Sequence, residues 1–190
     1  MIPLAAGLIA MADGIVTAAD SSNLLCNAGF EQSTGNDEEV PMFWQGYTTA
    51  KSTGVVTRKY HRDGAKCLMM AAQGVPRAFQ GLTQRIRVTA GGRYTFVANA
   101  MCSRENPLGG TAYLQLGIEW LNEQGKEICR TVSTAQGPGL SRVRWETLVV
   151  HQAKAPEGAI EAIVGIHLVE GERGGKGAVL VDDVSVTASP

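Results

Sequence analysis

The sequence predicts an all-β protein, a sandwich or barrel of about eight to ten short strands. Three observations support this fold class. From Asn23 onward, apolar residues recur with period two rather than 3.6, which is typical of strands that bury one face. Clusters of Gly, Pro and Asn separate these runs, and the chain holds 23 glycines in 190 residues. A hydrophobic content of 44% against 18% charged residues indicates an ordered core.

Six segments carry the alternation most clearly. In chain order they are residues 82–88, 93–102, 113–120, 143–150, 160–169 and 178–187. In each of them we expect one face to pack on the core while the other meets water or a ligand. Trp120 and Trp145 fall on apolar faces and Ile160 begins an apolar set, so all three are predicted core residues. The stretch Asn122-Glu123-Gln124-Gly125 is short enough to be a hairpin loop.

Charge and cysteine content argue against several functions. The formal net charge is −1, so no basic field exists to hold a phosphate backbone, and nucleic acid is not an expected partner. Cys26, Cys67, Cys102 and Cys129 form no CxxC pair, which argues against a zinc knuckle. The sequence leaves their disulfide pairing open. Cys102 follows the alternation of its segment and is predicted to be a buried thiol.

Residues 1–22 differ from the rest of the chain. They are apolar, rich in small residues and end in Val16-Thr17-Ala18-Ala19 before Asp20, which predicts the remnant of a secretory signal peptide. A short helix packed on the domain, or a fragment boundary, would also suit this extension. The stretch is too short and too interrupted to span a bilayer, so no membrane span is expected. We therefore expect a secreted or cell-surface protein whose single domain covers residues 23–190.

Three local patterns now combine into a family resemblance. They are Asn23–Glu31 (NLLCNAGFE) followed by Trp44, Gln84–Phe96 (QRIRVTAGGRYTF), and Val179–Val186 (VLVDDVSV). In this order and spacing they resemble the jelly-roll carbohydrate-binding modules of the cellulose- and xylan-binding type, within the galactose-binding-domain-like sandwiches. The resemblance covers residues 23–188 and implies a β-sandwich jelly roll of two antiparallel sheets, with Trp44 in the core. It is more specific for fold than for function, because this fold hosts many roles.

The same resemblance implies a structural calcium ion. It makes Glu31 and Asp182 the carboxylate ligands, with backbone carbonyls of residues 63–66, including Lys66, completing the shell. Calcium prefers six to eight oxygen ligands, and this set supplies that chemistry. Asp182 also shares strand parity with Leu180 and Val184, and a carboxylate on an apolar face needs a cation or hydrogen-bond donors. Backbone N–H donors without a metal would satisfy it equally.

A sugar site needs aromatic faces for ring stacking and planar polar side chains for the hydroxyls. We therefore expect such a site on the polar strand faces rather than on the buried tryptophans. The candidate ligand-binding residues are Tyr113, Gln115 and Glu119 on one segment, His167 and Arg85 on two others, and Tyr47 in a loop-like region. If these segments are neighbours, the residues form one surface. A solvated sheet face without a ligand is the simpler alternative.

No catalytic pattern is present in the sequence. It lacks a nucleophile elbow, an HExxH helix and a P-loop, and its three histidines lack metal-ligand spacing. We predict a non-catalytic protein that binds a poly- or oligosaccharide, with an associated catalytic or surface protein as a further partner. One alternative is a structural or adhesive jelly roll of a surface assembly with no sugar site. Another is an enzyme, which would need a pocket with perturbed acids near Tyr113, Glu119 or His167.

Overall fold

A computed structural model describes residues 23–34, 40–49, 51 and 53–189, and within them every regular element is a β-strand. The alternating segments of the sequence become the longest of these strands. In chain order the strands are β1 (Gln45–Thr48), β2 (Val55–Thr57), β3 (Cys67–Ala71), β4 (Phe79–Arg87), β5 (Arg93–Cys102), β6 (Gly109–Leu121), β7 (Glu127–Val132), β8 (Glu146–Lys154), β9 (Glu161–Lys176) and β10 (Ala178–Ser189).

The ten strands form two antiparallel sheets of five. The first sheet has the order β1-β4-β9-β6-β7 and the second has the order β2-β3-β10-β5-β8. Strands distant in the chain therefore lie side by side, as β4 does with β9 and β10 with β3. This confirms the predicted all-β sandwich and the predicted jelly-roll architecture.

The core lies between the inner faces of the two sheets. The even positions of β6, from Leu114 to Trp120, are fully buried there, as are Phe96 and Ala98 of β5. The Tyr94 ring packs on Trp120 with centroids 5.6 Å apart. Trp120 is thus a core residue, as predicted. Because the inner positions are saturated with apolar side chains, chemistry is left to the outer faces and the loops.

The segment before β1 closes one end of the sandwich. Trp44 and Phe30 are buried with ring centroids 5.4 Å apart, and the Trp44 indole Nε1 donates to the Asn27 carbonyl at 3.1 Å. The Asn27 side chain bonds the backbone of Gln32 and Met42. The predicted core role of Trp44 is confirmed, and its packing fixes where the chain enters β1.

A β-bulge shifts the register of the hairpin β6–β7. The predicted hairpin loop is present, since the Gly125 N–H donates to the Asn122 carbonyl at 2.9 Å. Leu121 pairs with Glu127, but Trp120 pairs with Cys129, so one extra residue enters β7 between these pairs. The bulge moves all later partners of β6 by one position. This shift matters for the outer face, where side-chain direction alternates with each residue.

Three predicted faces are wrong. In β10 a register shift between Asp182 and Ser185 puts Leu180 and Asp182 on the outer face and Val184 in the core, so these residues do not share one apolar face. In β8 the core-facing residues are Leu148 and Val150, because they pair with Ala98 and Phe96, which themselves face the core. Val143 is 80% exposed, since it lies in the loop before the strand where alternation sets no face. Ile160 also precedes its strand and is 46% exposed.

A small second cluster lies on the outer face of the second sheet. Cys67, Met101 and Leu180 are buried there, with Tyr60, Met69 and Trp145 packed over them. Trp145 is therefore half-buried on this face and not in the main core, which corrects its predicted place. The four cysteines are unpaired, and burial raises the pKa of the Cys67 thiol to about 12. Cys102 is the buried free thiol that its alternation predicted.

The described residues contain no helix that is long and apolar enough to cross a membrane. The prediction of a signal-peptide remnant falls on residues 1–22, which lie outside the described residues, and it stays a prediction.

Candidate functional site

The outer face of the first sheet gathers the predicted ligand residues. Three rows of side chains cross its strands in register. The first row is Tyr47, Gly81, His167 and Gln115, the second is Thr83, Gly165, Gly117 and Val132, and the third is Arg85, Ile163, Glu119 and Arg130. The strands that carry Arg85, His167 and Gln115 are therefore neighbours, which is the condition for a single surface.

A small cavity opens at the centre of this face, and we call it the trough. Its volume is about 40 Å³, and it is lined by Phe79, Gln115, Gly117, Glu119, Arg130, Val132 and His167. Drug-sized ligands occupy pockets of about 300–1,000 Å³. A ligand of the trough would therefore lie along the face and insert only one group.

His167 is the most enclosed polar residue of the trough. Its Nδ1 lies 2.6 Å from the Tyr47 hydroxyl, and its ring stacks on Phe79 with centroids 5.3 Å apart and an interplanar angle of 17°. The side chain is only 7% exposed. Burial, with a smaller contribution from the Arg130 charge, lowers the pKa of His167 to about 4. The imidazole is therefore neutral at pH 7.

Tyr47 shares this enclosed environment. Burial, and then the Glu119 charge, raise the pKa of Tyr47 well above its ordinary value, while the Arg130 charge opposes them. The phenol therefore stays protonated over the whole neutral range. Tyr47 and Phe79 pack with centroids 5.3 Å apart, so the two rings and the imidazole form one aromatic cluster at the edge of the trough.

Glycines make the floor on which these rings lie. A Cβ on Gly165 would sit 2.5 Å from His167 Nε2, and one on Gly117 would sit 3.0 Å from it. A Cβ on Gly81 would sit 2.6 Å from the Tyr47 hydroxyl oxygen. Real Cβ atoms essentially never approach closer than 3.0 Å, so a side chain at Gly165 or Gly81 would force the ring above it to move, and one at Gly117 would be in tight contact. Glycine within a strand often marks such a close approach.

The charged side chains that line the trough are paired. Arg130 contacts Glu119 at 3.2 Å and also makes a bidentate pair with Glu127, at 2.8 and 2.9 Å. Further along the face, Arg85 pairs with Glu161 at 2.6 Å. The trough therefore carries polar atoms without a strong net charge. This suits an uncharged polar ligand better than an anion.

The predicted site residues stand in different relations to the trough. Gln115, Glu119 and His167 line it, and the Gln115 amide also donates to the Ser133 carbonyl at 2.8 Å. Tyr47 does not line the trough, but its hydroxyl contacts His167, which does. Arg85 shares the row of Glu119 but lies on β4, two strands away and outside the lining, and Tyr113 is opposite Val169 at the other end of the face. Whether any of them binds a ligand stays a prediction.

Three lining residues were not singled out in the sequence: Phe79, Arg130 and Val132. Phe79 lies on the same outward-facing side of β4 as Thr83 and Arg85. Extending the alternation of this strand towards the N-terminus would have identified it. Arg130 and Val132 face outward because of the bulge in the β6–β7 hairpin. Neither the loop sequence nor the alternation of apolar residues predicts that bulge.

The predicted calcium ligands meet at the other sheet's end, around the loop 62–66. Asp182 is 1% exposed and accepts backbone N–H bonds from Arg62 at 2.7 Å, Asp63 at 3.3 Å and Asp183 at 2.8 Å. Glu31 accepts from the N–H groups of Ala65 at 2.9 Å and Lys66 at 3.0 Å. The loop thus turns N–H groups to both carboxylates, and Lys66 contributes its N–H.

The chemistry of this junction still suits a cation. A Cβ on Gly29 would lie 4.0 Å from both Asp182 Oδ1 and Glu31 Cγ, so both acidic side chains pass beside Gly29. Carboxylate oxygens are the ligands that calcium prefers. Burial raises the pKa of Asp182 to about 6, although the N–H bonds from Arg62, Asp183 and Asp63 oppose this. No cluster of three or more His, Cys, Asp or Glu side chains with metal-site geometry exists in the described part of the chain.

A third buried carboxylate, Glu170, has a different surrounding. It is 1% exposed and accepts four backbone N–H bonds, from Gln73 at 2.6 Å, Gly74 at 2.9 Å, Val75 at 3.1 Å and Gly175 at 2.7 Å. These bonds tie the loop before β4 to β9. Because its oxygens are filled by the protein's own backbone, Glu170 is a structural anchor.

Solved structures share this fold at low sequence identity. TmCBM61, determined in complex with β-1,4-galactotriose, has a TM-score of 0.57 and 14% identity, with 89% of this chain and 100% of that chain covered. The CBM22-1-GH10 modules of Clostridium thermocellum xylanase 10B, determined with xylohexaose, have a TM-score of 0.58 and 14% identity over 90% of this chain. The match spans 29% of that xylanase chain.

An enzyme shares the fold as well. A cyclase from Fischerella sp. TAU has a TM-score of 0.62 and 16% identity, with 89% of this chain and 97% of that chain covered. No protein-family model matches the sequence, and no curated protein sequence matches it. The comparisons therefore establish the fold of the carbohydrate-binding jelly rolls, a fold that also supports catalysis.

Proposed function

We propose that this protein is a non-catalytic binder of an uncharged poly- or oligosaccharide and that the trough face is its binding surface. The observation that carries the proposal is the convergence of aromatic rings and planar polar groups above a glycine floor. Phe79 supplies an aromatic ring beside the trough, while Gln115 and Glu119 supply hydrogen-bonding groups. The sugar-bound neighbours support the same class of ligand.

The shape of the trough supports a chain that lies across the strands. The cavity is small and the charges around it are paired, so an extended neutral ligand would contact several rows while placing one group near His167. Phe79, Val132 and Val169 give apolar contact area along the same face. This would place the carbohydrate on the face that the sequence predicted.

A glycan array on the full 190-residue chain, followed by titration of the best hits, tests the proposal. We expect saturable binding that weakens on the order of tenfold or more in Glu119→Gln, because a hydrogen bond to a charged group contributes about 1.5–3 kcal/mol. Tyr113→Ala should weaken binding less, since Tyr113 lies outside the trough lining.

Val149→Thr is the matched control. Val149 is 43% exposed on the outer face of the second sheet, and the substitution preserves its shape. It should leave glycan affinity unchanged. If no plant, algal, microbial or animal glycan binds the folded wild-type chain, the sugar-binding proposal is wrong, and the structural or adhesive jelly roll takes its place.

We also propose that Glu31 and Asp182 hold a structural calcium ion. When bound, the ion would supply positive charge between the two carboxylates, in place of part of the backbone N–H bonding. Calcium added after EDTA treatment should raise the melting temperature of the full chain, and magnesium should not, because its small octahedral shell fits this junction poorly.

Glu31→Gln should abolish that calcium response, while the exposed Glu172→Gln should retain it. A wild-type chain whose melting temperature ignores calcium at millimolar concentration would show that backbone N–H groups alone satisfy Asp182.

Secretion or display at the cell surface, and association with a catalytic or surface protein, complete the proposal. Expression of the full chain in a secreting host tests the first of these. The protein recovered from the medium should begin near Asn23. If the protein stays in the cells and still carries residues 1–22, the signal-peptide prediction is wrong.

A second candidate function is catalysis on a small aromatic substrate. The enclosed Tyr47–His167 pair favours it, together with the cyclase of similar length, another structure of which holds 4-(1H-indol-3-yl)butan-2-one. Calorimetric titration with that indole separates the two functions. Saturable binding that His167→Gln abolishes would favour catalysis; absence of binding would leave the sugar proposal alone.

A further inference from the structure

The imidazole of His167 is fixed from three directions. The Tyr47 hydroxyl holds Nδ1 at 2.6 Å, Phe79 covers one ring face, and the glycine floor lies against the Nε2 edge. Nδ1 is thus engaged by the protein itself. Nε2 lies over Gly165 and Gly117, at the trough, and the described residues give it no hydrogen-bond partner.

The proton on the Tyr47–His167 bond can be assigned by counting donors. The imidazole is neutral, so one of its nitrogens carries a hydrogen and the other is an acceptor. The phenol is protonated, and among the described residues its hydroxyl makes this single hydrogen bond. An Nδ1–H donor would leave the half-buried phenol hydrogen without an acceptor, which is costly in a desolvated site. A hydroxyl that donates to Nδ1 satisfies both groups and leaves the imidazole hydrogen on Nε2.

We propose that Tyr47 is a positioning residue that locks His167 in the Nε2–H tautomer, so that the trough presents one fixed N–H donor to a hydroxyl oxygen of an uncharged sugar. This inference rests on the proposed function. Its structural part, the tautomer, is independent of any ligand.

The fixed donor determines what the trough can recognise. Glu119, held by Arg130, offers acceptor oxygens among the same lining residues, so the trough combines a neutral donor with a carboxylate acceptor. That combination suits a pair of neighbouring hydroxyls, one accepting and one donating. In the other tautomer, Nε2 and Glu119 would both be acceptors, and a hydroxyl oxygen would find no donor at Nε2. Tyr47 would then set specificity without touching the ligand.

Two-bond ¹H–¹⁵N correlation spectra of the ligand-free full chain test the tautomer directly, because protonated and unprotonated imidazole nitrogens have well-separated ¹⁵N shifts. At pH 7 we expect the Nε2–H pattern for His167 in the wild type. In Tyr47→Phe we expect a mixture of both tautomers, together with a loss of glycan affinity of about twofold for an even mixture, because only the Nε2–H fraction binds.

Tyr94→Phe is the matched control. It removes a phenol that also makes one protein hydrogen bond, to the Thr89 N–H at 2.8 Å, but its ring lies in the core. It should change neither the His167 spectrum nor glycan affinity. A purely structural role for Tyr47 would lower stability in both variants without moving the tautomer.

The outcomes separate the two proposals. An Nδ1–H tautomer or an even mixture in the wild type would overturn the inference, as would an unchanged Nε2–H pattern in Tyr47→Phe. If the spectra follow expectation but no glycan binds the wild type, the tautomer lock stands and the sugar-binding proposal falls. The wild-type spectrum decides the tautomer even if Tyr47→Phe does not fold.

Discussion

Glu170 and His167 are both buried polar groups near the same end of β9, three residues apart, yet their surroundings are opposite. Glu170 faces inward, and four backbone N–H groups fill its oxygens. His167 faces outward, with Nδ1 engaged by Tyr47 and Nε2 left at the trough. The two residues show how one strand can anchor a loop with one face and prepare a binding surface with the other.

The difference lies in what satisfies each group. A buried polar atom must have a partner, so a group completed by the protein's own backbone has no capacity left for a ligand. Asp182 is close to Glu170 in this respect, since three backbone N–H groups already bond it. A group that is held on one side and open on the other remains able to bind. By this criterion the trough is a stronger candidate for function than either of these buried carboxylates.

The largest effect should follow from removing the anchor. Glu170→Gln replaces one acceptor oxygen by an N–H₂ group that would face backbone N–H donors. We expect a loss of about 3 kcal/mol in the free energy of unfolding, because buried donors lose their acceptor. Urea denaturation of the full chain measures it.

Glu172→Gln is the control, two residues along the same strand. Glu172 is exposed and pairs only with the exposed Arg77, so its loss should cost less than about 0.5 kcal/mol. Equal effects of the two substitutions would break the distinction between an anchor and a surface charge.

Acid should lower the free energy of unfolding by a similar amount, through the protonation of His167. The folded pKa of His167 is about 4, below the usual 6.5, so between these values the unfolded chain binds the extra proton. The stabilisation is complete above pH 6.5 and is lost as the pH falls towards 4. At about 1.4 kcal/mol per pH unit, the wild type should lose about 3 kcal/mol more than His167→Gln between pH 7 and pH 4.

The comparison between wild type and variant isolates this histidine. The titratable and charged groups around it, Tyr47, Glu119 and Arg130, are present in both proteins, as is Asp182. Their own titration therefore largely cancels in the difference. Parallel pH profiles for the two proteins would mean that His167 is not held neutral by burial.

The sequence was sufficient to predict the fold. Alternation over β4, β5, β6 and β9 identified their inner faces, because each of these strands buries one side completely. It failed in β10, where the register shift after Asp182 puts Leu180 and Val184 on opposite faces. It also failed where a residue precedes its strand. Val143 and Ile160 continue the alternation of apolar residues, but they lie in loops. No neighbouring strand fixes the direction of their side chains there.

The site was only partly predictable, because the sequence does not show which strands pair or in which register. His167, Gln115 and Glu119 follow from parity alone, whereas Arg130 reaches Glu119 through a one-residue bulge. A regular hairpin would have placed Cys129 opposite Glu119. The enclosed Tyr47–His167 bond joins residues 120 positions apart, and only the sheet order β1-β4-β9 brings them together. Parity predicts a face, but register decides which residues meet on it.

A smaller effect should come from filling the glycine floor. Gly165→Ala would place a Cβ 2.5 Å from His167 Nε2, so the ring must move and its bond to Tyr47 must lengthen. We expect a loss of about 2 kcal/mol from overpacking, with weaker glycan binding. Gly139→Ala is the control, since nothing lies within 4 Å of its Cβ position. A neutral Gly165→Ala variant would show that the imidazole is not held where the structure places it.

The smallest effect on stability should be that of Arg85→Gln, and it sharpens the comparison within one face. Arg85 and Glu161 form a pair at 2.6 Å whose side chains are 51% and 30% exposed, so solvent screens it, and its loss should cost less than about 0.5 kcal/mol. Arg85 lies two strands from Glu119 and outside the trough lining, so glycan affinity should fall by less than about twofold, and by less than in Tyr47→Phe. Titration of both variants with the same glycan measures the order. If Arg85→Gln weakened binding more than Tyr47→Phe, the ligand would be held mainly by Arg85 on the β4 side of the face, and the fixed imidazole would not be its main contact.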